Sequence, residues 1–276
     1  MKILLTGGSG LLGRAVKLNL ENKRYQIVAP THQMYNLEDV EVVQKLVETV
    51  KPELIINCAA QRKPDLCESE SAAVEALNVT LPTQLAKTGI PLIHLSTDYV
   101  FDGTSAPYEV DARRRPLNAY GRQKAAAEIA IEGVPNVLIL RVPLLFGPLE
   151  DWSHSAVTVL AHNLLLTDSA PVLMDDHAIR YPTFTPDVAQ QISALIPYVG
   201  QLHGIFHYTG MEAMTKYLMG LTMAPMIGCS CERCRPDDRP SLVPRPYDCH
   251  LSVRRLWQTG LYVTPTPFRK ALHLIF

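Results

Sequence analysis

Tyr120 and Lys124 stand four residues apart in Tyr120-Gly121-Arg122-Gln123-Lys124, a spacing that places a phenol and an ammonium on one helix face. Such a pair can move a proton. A free tyrosine ionises at about pH 10, so work near neutrality requires a downward shift of roughly two to three units, about 3 to 4 kcal/mol of preference for phenolate. Lys124 is a candidate source of that shift. Ser96-Thr97-Asp98 offers a hydroxyl, Thr97 or Ser96 beside it, to hold a substrate oxygen while Tyr120 donates its proton and a hydride donor attacks the carbon. The pair alone decides nothing, because a surface Tyr–Lys pair with Thr97 as a strand cap is the plainer reading. Its weight comes from the position of Ser96-Thr97-Asp98 at the C-terminal end of an expected fourth strand, where open α/β sheets bind ligands.

The hydride donor has a candidate seat at the other end of the sequence. Thr6-Gly7-Gly8-Ser9-Gly10-Leu11-Leu12-Gly13 directly follows an expected strand and opens an expected helix. Gly7 would permit the tight turn and Gly10 the approach of a pyrophosphate. Gly13 would allow helix and strand to pack closely, while the helix start at Leu11 and Leu12 faces the phosphates. A glycine-rich turn without a ligand is the alternative, disfavoured because position, strand and helix agree. The acid that binds the ribose of NAD belongs about twenty residues further on, where Ala29-Pro30-Thr31-His32-Gln33 carries no carboxylate. NADP(H) is therefore expected ahead of NAD(H). Arg14 is a candidate partner for the 2′-phosphate or, equally, a solvated helix-surface residue.

These groups need a scaffold, and the first half of the sequence supplies the elements of one. Ile3–Thr6, Gln26–Ala29, Leu54–Asn57, Leu92–Leu95 and Val137–Leu140 are apolar runs, as expected for strands covered on both faces. Between them Leu11–Glu21, Glu38–Val50, Ala72–Ala86 and Tyr120–Ile131 have the length and apolar spacing of crossover helices. The expected fold is α/β: a Rossmann-type, doubly wound parallel sheet over 1–150, recrossed near 180–200. A smaller C-terminal substrate-binding region over 151–276 would lie above the cleft. Pro186-Asp187 and the run to Ile196 read as a helix, and Cys229–Pro246 as a long irregular surface loop.

Bulk properties exclude several classes of function. Hydrophobic residues make up 47% and charged residues 19%, at a mean hydropathy of +0.04, values of a globular chain. A net charge of -1 gives no field to draw nucleic acid or an anionic membrane, so neither is expected as a partner. No run approaches the ~18 apolar residues of a span. The glycine loop follows Met1–Leu5 too soon for a signal-peptide core of about 7 residues. A cytoplasmic location with reduced thiols is expected, leaving the Asn78-Val79-Thr80 sequon idle.

The glycine loop, Asn57-Cys58-Ala59-Ala60, Ser96-Thr97-Asp98-Tyr99-Val100-Phe101-Asp102-Gly103, Tyr120 with Lys124, and Arg141–Gly147 together resemble an extended short-chain dehydrogenase/reductase of the dTDP-4-dehydrorhamnose reductase family. Within it, Ala59–Asp65, Ser155–Val159, Arg180-Tyr181-Pro182-Thr183 and Met214–Tyr217 are most similar to regulatory beta subunits of methionine adenosyltransferase. The resemblance implies catalytic-type Thr97, Tyr120 and Lys124. It also implies a cofactor site of Gly7, Gly10, Leu11, Leu12, Gly13, Arg14, Cys58, Ala59, Ala60, Asn78, Tyr120 and Lys124. The implied function is an NADP(H)-binding regulatory subunit whose partner is the methionine adenosyltransferase catalytic subunit. The alternative is an NADPH-dependent reductase of a keto-sugar nucleotide. Three features depart from the family patterns: Leu144 stands where rhamnose-forming reductases carry Trp, Thr31-His32-Gln33 replaces an arginine-rich stretch of beta subunits, and the sequence stops at Phe276 where beta subunits continue in a docking tail.

Cys229, Cys231, Cys234 and Cys249-His250 carry donors that suit zinc, but the Cys-x-x-Cys pairs are only half present. Free thiols on a loop are expected there, and no metal.

Overall fold

The structure is a computed structural model that describes residues 1–69, 71–148, 151–166, 170–239 and 241–276. The five apolar runs form β1 (Lys2–Thr6), β2 (Gln26–Val28), β3 (Leu54–Asn57), β4 (Leu92–Thr97) and β5 (Val137–Val142). Between them lie α1 (Leu11–Asn22), α2 (Val40–Val50), α3 (Pro64–Cys67), α4 (Ala72–Glu75), α5 (Leu81–Lys87) and α6 (Ala119–Ile131). The helix expected from Glu38 begins two residues later, because the Asp39 carboxylate accepts the N–H groups of Glu41 and Val42 and fixes the start there. The helix expected over Ala72–Ala86 is interrupted between α4 and α5 by a π-helical turn, Ala76–Thr80.

Six strands form one parallel sheet in the order β2-β1-β3-β4-β5-β9, the last being Gly204–His207. The chain leaves β1 to one side for β2 and returns to the other for β3. The switch point therefore lies beyond the C-terminal ends of β1 and β3, where open sheets leave a crevice. Alternate residues along each strand serve opposite faces. Ile3, Leu5, Ile56, Ile93 and Leu140 pack with Val16 and Leu20 of α1 and with Val188, Ile192 and Leu195. Leu4, Ile55, Leu92 and Ile139 pack with Leu46, Leu85 and Ile131 of α2, α5 and α6. Each such side chain contributes about 1.5–3 kcal/mol by leaving water, which is why the strands show no polar alternation.

Beyond β5 come β6 (Leu145–Phe146), α7 (Thr158–Leu166), β7 (Val172–Asp175), β8 (Thr183–Phe184) and α8 (Thr185–Leu195), followed by β9. Then follow α9 (Lys216–Met223), β10 (Cys234–Asp237), α10 (Arg254–Gln258) and α11 (Phe268–Leu272). Through α8 and β9 the chain returns to the main sheet. A separate apolar cluster of Phe146, Leu160, Leu164, Met174, Phe184, Met219, Met223, Phe268 and Leu272 organises the remainder. The boundary expected near residue 150 falls at 149–150, outside the described residues.

The stretch expected as an irregular loop over 229–246 is regular in its first half, and the described residues after Asp237 are irregular. Cys231–Arg233 form a 3-10 turn, and β10 pairs parallel with β7 from Cys234 opposite Val172 to Asp237 opposite Asp175. Pro236 is tolerated because β10 is an edge strand of a two-stranded sheet and has no second ladder to serve.

Candidate functional site

At the switch point the backbone packs closely. Gly7 has φ +73°, and a Cβ there would lie 2.5 Å from the Ala59 nitrogen. A Cβ on Gly13 would lie 2.1 Å from the Gly7 carbonyl oxygen. These absent carbons let loop, helix and the Cys58-Ala59-Ala60 segment touch. Gly10 differs, since a Cβ there would meet only the Gly7 oxygen, at 3.3 Å. Gly10 also caps α1 without a side chain, and no acid stands in the first turn. The leading N–H groups at Leu11, Leu12 and Gly13 thus have no intrahelical acceptor and carry the positive end of the helix dipole, an arrangement that suits a pyrophosphate. Burial pushes the Cys58 thiol up to about 12, so this wall of the crevice is uncharged at neutrality.

Arg14 is not a freely solvated arginine. Its guanidinium donates to the Ser9 carbonyl at 2.8 Å and lies 2.9 Å from His154 Nδ1. It joins the glycine loop to the turn Trp152–His154 of the C-terminal region. Thr31, His32 and Gln33, beyond β2, are exposed.

At the end of β4 the Thr97 hydroxyl donates to Asp98 Oδ1 at 3.0 Å and accepts from the Tyr99 N–H at 3.2 Å. The Tyr120 phenol lies close enough to Thr97 for the threonine to bear on its ionisation, which places two of the three expected catalytic groups near each other. Asn118 caps α6 through the Gly121 N–H at 2.9 Å, and this fixes where Tyr120 emerges. Burial raises the Asp98 carboxyl to about 6, opposed by Arg180 and by the Thr97 bond. The downward shift expected for Tyr120 is not provided by the protein alone. Burial raises the phenol above its ordinary value, and the neighbouring Thr97 hydroxyl only partly offsets this.

Lys124 is turned elsewhere. Its Nζ donates to the Leu95 carbonyl at 2.7 Å and lies 3.0 Å from His94 Nε2. His94 Nδ1 in turn lies 3.1 Å from Asn57 Nδ2, whose Oδ1 accepts from Thr6 at 2.7 Å and from the Ala59 N–H at 3.1 Å. Burial first, then the facing carboxylate of Glu128 and thiol of Cys58 in opposition, set Lys124 at about 8. One turn on, Glu128 pairs bidentately with Arg141 at 2.9 and 2.7 Å, both side chains fully buried, and accepts from Arg114 and Ser96. These bonds hold its carboxyl below the usual range against burial.

Asn78, expected among the cofactor contacts, is placed as a clamp. It is 1% exposed, accepts from the Gln61 N–H at 2.8 Å, and donates to the Gln61 carbonyl and to Gln123 Oε1 on α6. The π-helical turn at Ala76–Thr80 carries it, in keeping with the tendency of such turns to occur at functional sites.

The model of the RmlD substrate binding domain family matches residues 1–276, the whole of the sequence. The chain belongs to this family. It is 36% identical to methionine adenosyltransferase 2 subunit beta of Xenopus tropicalis, over 97% of this chain and 85% of that protein. It is 31% identical to dTDP-4-dehydrorhamnose reductase of Mycolicibacterium smegmatis, over 97% and 82%. Among solved structures, dTDP-4-dehydrorhamnose reductase of Bacillus anthracis in complex with NADP superposes with a TM-score of 0.88 at 22% identity, covering 99% of this chain and 97% of that one.

Outside the crevice, this RmlD-family chain sets Cys249 apart from the other three cysteines of the sequence cluster, while Cys229 and Cys231 stay near enough to Cys234 to bear on its thiol. Cys234 lies in the apolar cluster with Met174 and Met219, Cys249 in another with Phe101 and Tyr108, and Cys231 is exposed. All six cysteines are free thiols, and among the described residues no three His, Cys, Asp or Glu side chains are placed to hold a metal ion. Sequence reading missed His94, Asn57 as its partner, and the Glu128–Arg141 pair. The one available signal was a histidine and an arginine interrupting apolar strand runs.

Proposed function

We propose that this chain is an NADP(H)-binding regulatory subunit of the beta type, acting on a methionine adenosyltransferase catalytic subunit and so on S-adenosylmethionine synthesis. The observation that carries the reading is the 36% identity to subunit beta along 97% of the chain. The crevice fits a dinucleotide: Gly7 and Gly13 allow the close loop, Gly10 leaves room ahead of α1, and Leu11, Leu12 and Gly13 offer N–H groups to phosphate. Cys58, Ala59 and Ala60 would wall the opposite side. The absence of a carboxylate at Ala29–Gln33, with Arg14 beside the loop, favours NADP(H) over NAD(H). When bound, a reduced nicotinamide is a hydride donor.

A second reading, an NADPH-dependent reductase of a keto-sugar nucleotide, is favoured by one observation, the proximity of Thr97 to the Tyr120 phenol. In that case Thr97 orients the substrate oxygen and Tyr120 gives it a proton. Against it stand Leu144 in place of the aromatic residue and a Tyr120 that holds its proton tightly. A paired experiment separates the readings: size-exclusion chromatography with the catalytic subunit of the same organism, and NADPH oxidation with dTDP-4-dehydrorhamnose. A stable complex with negligible turnover is expected. Elution alone together with turnover of order 1 per second or more replaces the regulatory reading by the reductase.

A further inference from the structure

The bonds around His94 constrain where its hydrogen sits. Asn57 cannot be turned over, because its Oδ1 accepts from the Ala59 backbone N–H, a group that only donates. Its Nδ2 therefore donates to His94 Nδ1. The imidazole ring cannot be turned over either, since both of its nitrogen contacts would then become carbon contacts. Burial holds the ring's proton affinity well below its ordinary value, so His94 is neutral and carries one hydrogen. With Nδ1 accepting, that hydrogen is on Nε2 and points at Lys124 Nζ, 3.0 Å away. An ammonium has three donors and no acceptor, whereas a neutral amine has a lone pair. The network closes only when Lys124 accepts from His94 and donates to the Leu95 carbonyl.

We propose that His94, its tautomer fixed by Asn57, is a positioning residue that shifts Lys124 toward its neutral amine form relative to an ordinary lysine. Protonating Lys124 forces the His94 hydrogen to Nδ1, where it opposes the Asn57 Nδ2 donor. The lysine's proton and the histidine's tautomer are thereby coupled, whatever ligand the glycine loop takes. The other ionisable groups bearing on Lys124 do not undo this. Cys58, after β3, is un-ionised at neutrality, and Glu128 on the same helix is held by Arg141, Arg114 and Ser96. The lowered proton affinity of Lys124 is in accord with the geometry.

Nuclear magnetic resonance of the full chain, labelled with 15N at histidine and 13C at the lysine ε-carbon, tests the proposal. The wild type is expected to show His94 protonated at Nε2 at pH 9, and a Lys124 midpoint at least tenfold lower in proton affinity than ordinary lysines. His94→Gln supplies an amide oxygen that can turn to an ammonium, so the Lys124 midpoint is expected to rise by about one unit, a tenfold change. An unchanged midpoint in His94→Gln leaves burial as the whole cause and overturns the assignment. If that variant does not fold, the wild-type tautomer still decides, because a hydrogen on Nδ1 at pH 9 contradicts the network.

Discussion

Replacing Lys124 by Met removes a buried amine whose proton affinity differs between folded and unfolded chain, and the size of the effect follows from its environment. Lys124 is 2% exposed, and its pKa falls from 10.5 to about 8 on folding, mainly by desolvation. Because the folded pKa is the lower, the unfolded chain binds more protons between these values, so this group's contribution to stability rises with pH from about 8 to 10.5 and is flat on either side. About 2.5 units at 1.36 kcal/mol each give a rise of about 3 kcal/mol. Other groups titrate in the same window with the opposite sign, since burial raises Cys58, Cys67 and Tyr120. The quantity to measure is therefore the difference between wild type and Lys124→Met, both in a Cys58→Ala background because Cys58 is coupled to Lys124; the Cys67 and Tyr120 terms then cancel. Urea unfolding under reducing conditions at pH 7, 8.5, 9.5 and 10.5 gives that difference. The variant is expected to be the more stable at pH 7, with the gap closing by about 3 kcal/mol as pH approaches 10.5. A gap independent of pH over this range would mean that Lys124 titrates as an ordinary lysine, and the account of its surroundings would be wrong.

Three further outcomes follow from the same geometry. Gly13→Ala places a Cβ 2.1 Å from the Gly7 carbonyl, so we expect a loss of about 1–3 kcal/mol in urea unfolding and at least a tenfold loss of NADPH affinity by fluorescence titration; unchanged binding would make the loop purely structural. Glu128→Gln leaves the buried Arg141 without its charge partner and should cost about 3–5 kcal/mol at pH 7. The wild-type contribution of Glu128, whose folded pKa is depressed, should be present above the ordinary carboxylate pKa and fade as pH falls through the folded value. Elemental analysis is expected to find no stoichiometric metal; one zinc per chain, lost in Cys231→Ser, would show that the 229–234 turn is organised by a metal after all.

The core of the nucleotide side was legible because both sheet faces are covered, so β1, β3, β4 and β5 read as apolar runs whatever their neighbours. The glycine spacing was legible for a related reason: only a missing Cβ lets Gly7 meet Ala59 and Gly13 meet Gly7. Partnerships were not legible. His94 interrupts an apolar strand, and periodicity reports that the position is buried without reporting that Asn57 and Lys124 lie on either side. Asn78 could be given a place near the crevice but not a task, because its partners Gln61 and Gln123 are 17 and 45 residues away along the chain. The prolines and charges of 229–246 gave a loop signal, yet an edge strand with a single neighbour tolerates both.

The two functional readings make different demands on the same side chains. A reductase needs a phenol that exchanges its proton readily near neutrality. Here burial opposes that, and the amine that would assist is engaged by His94 and the Leu95 carbonyl. A regulatory subunit needs instead that occupation of the crevice be felt elsewhere. Contacts run outward from the glycine loop: Arg14 joins Ser9 to His154, His154 closes the turn that begins at Trp152, and the Trp152 ring stacks on Phe276 with centroids 5.8 Å apart. An anion that competes for Arg14 acts on the same guanidinium that holds His154. The glycine loop is thus joined to Phe276 by contacts that take no part in proton transfer.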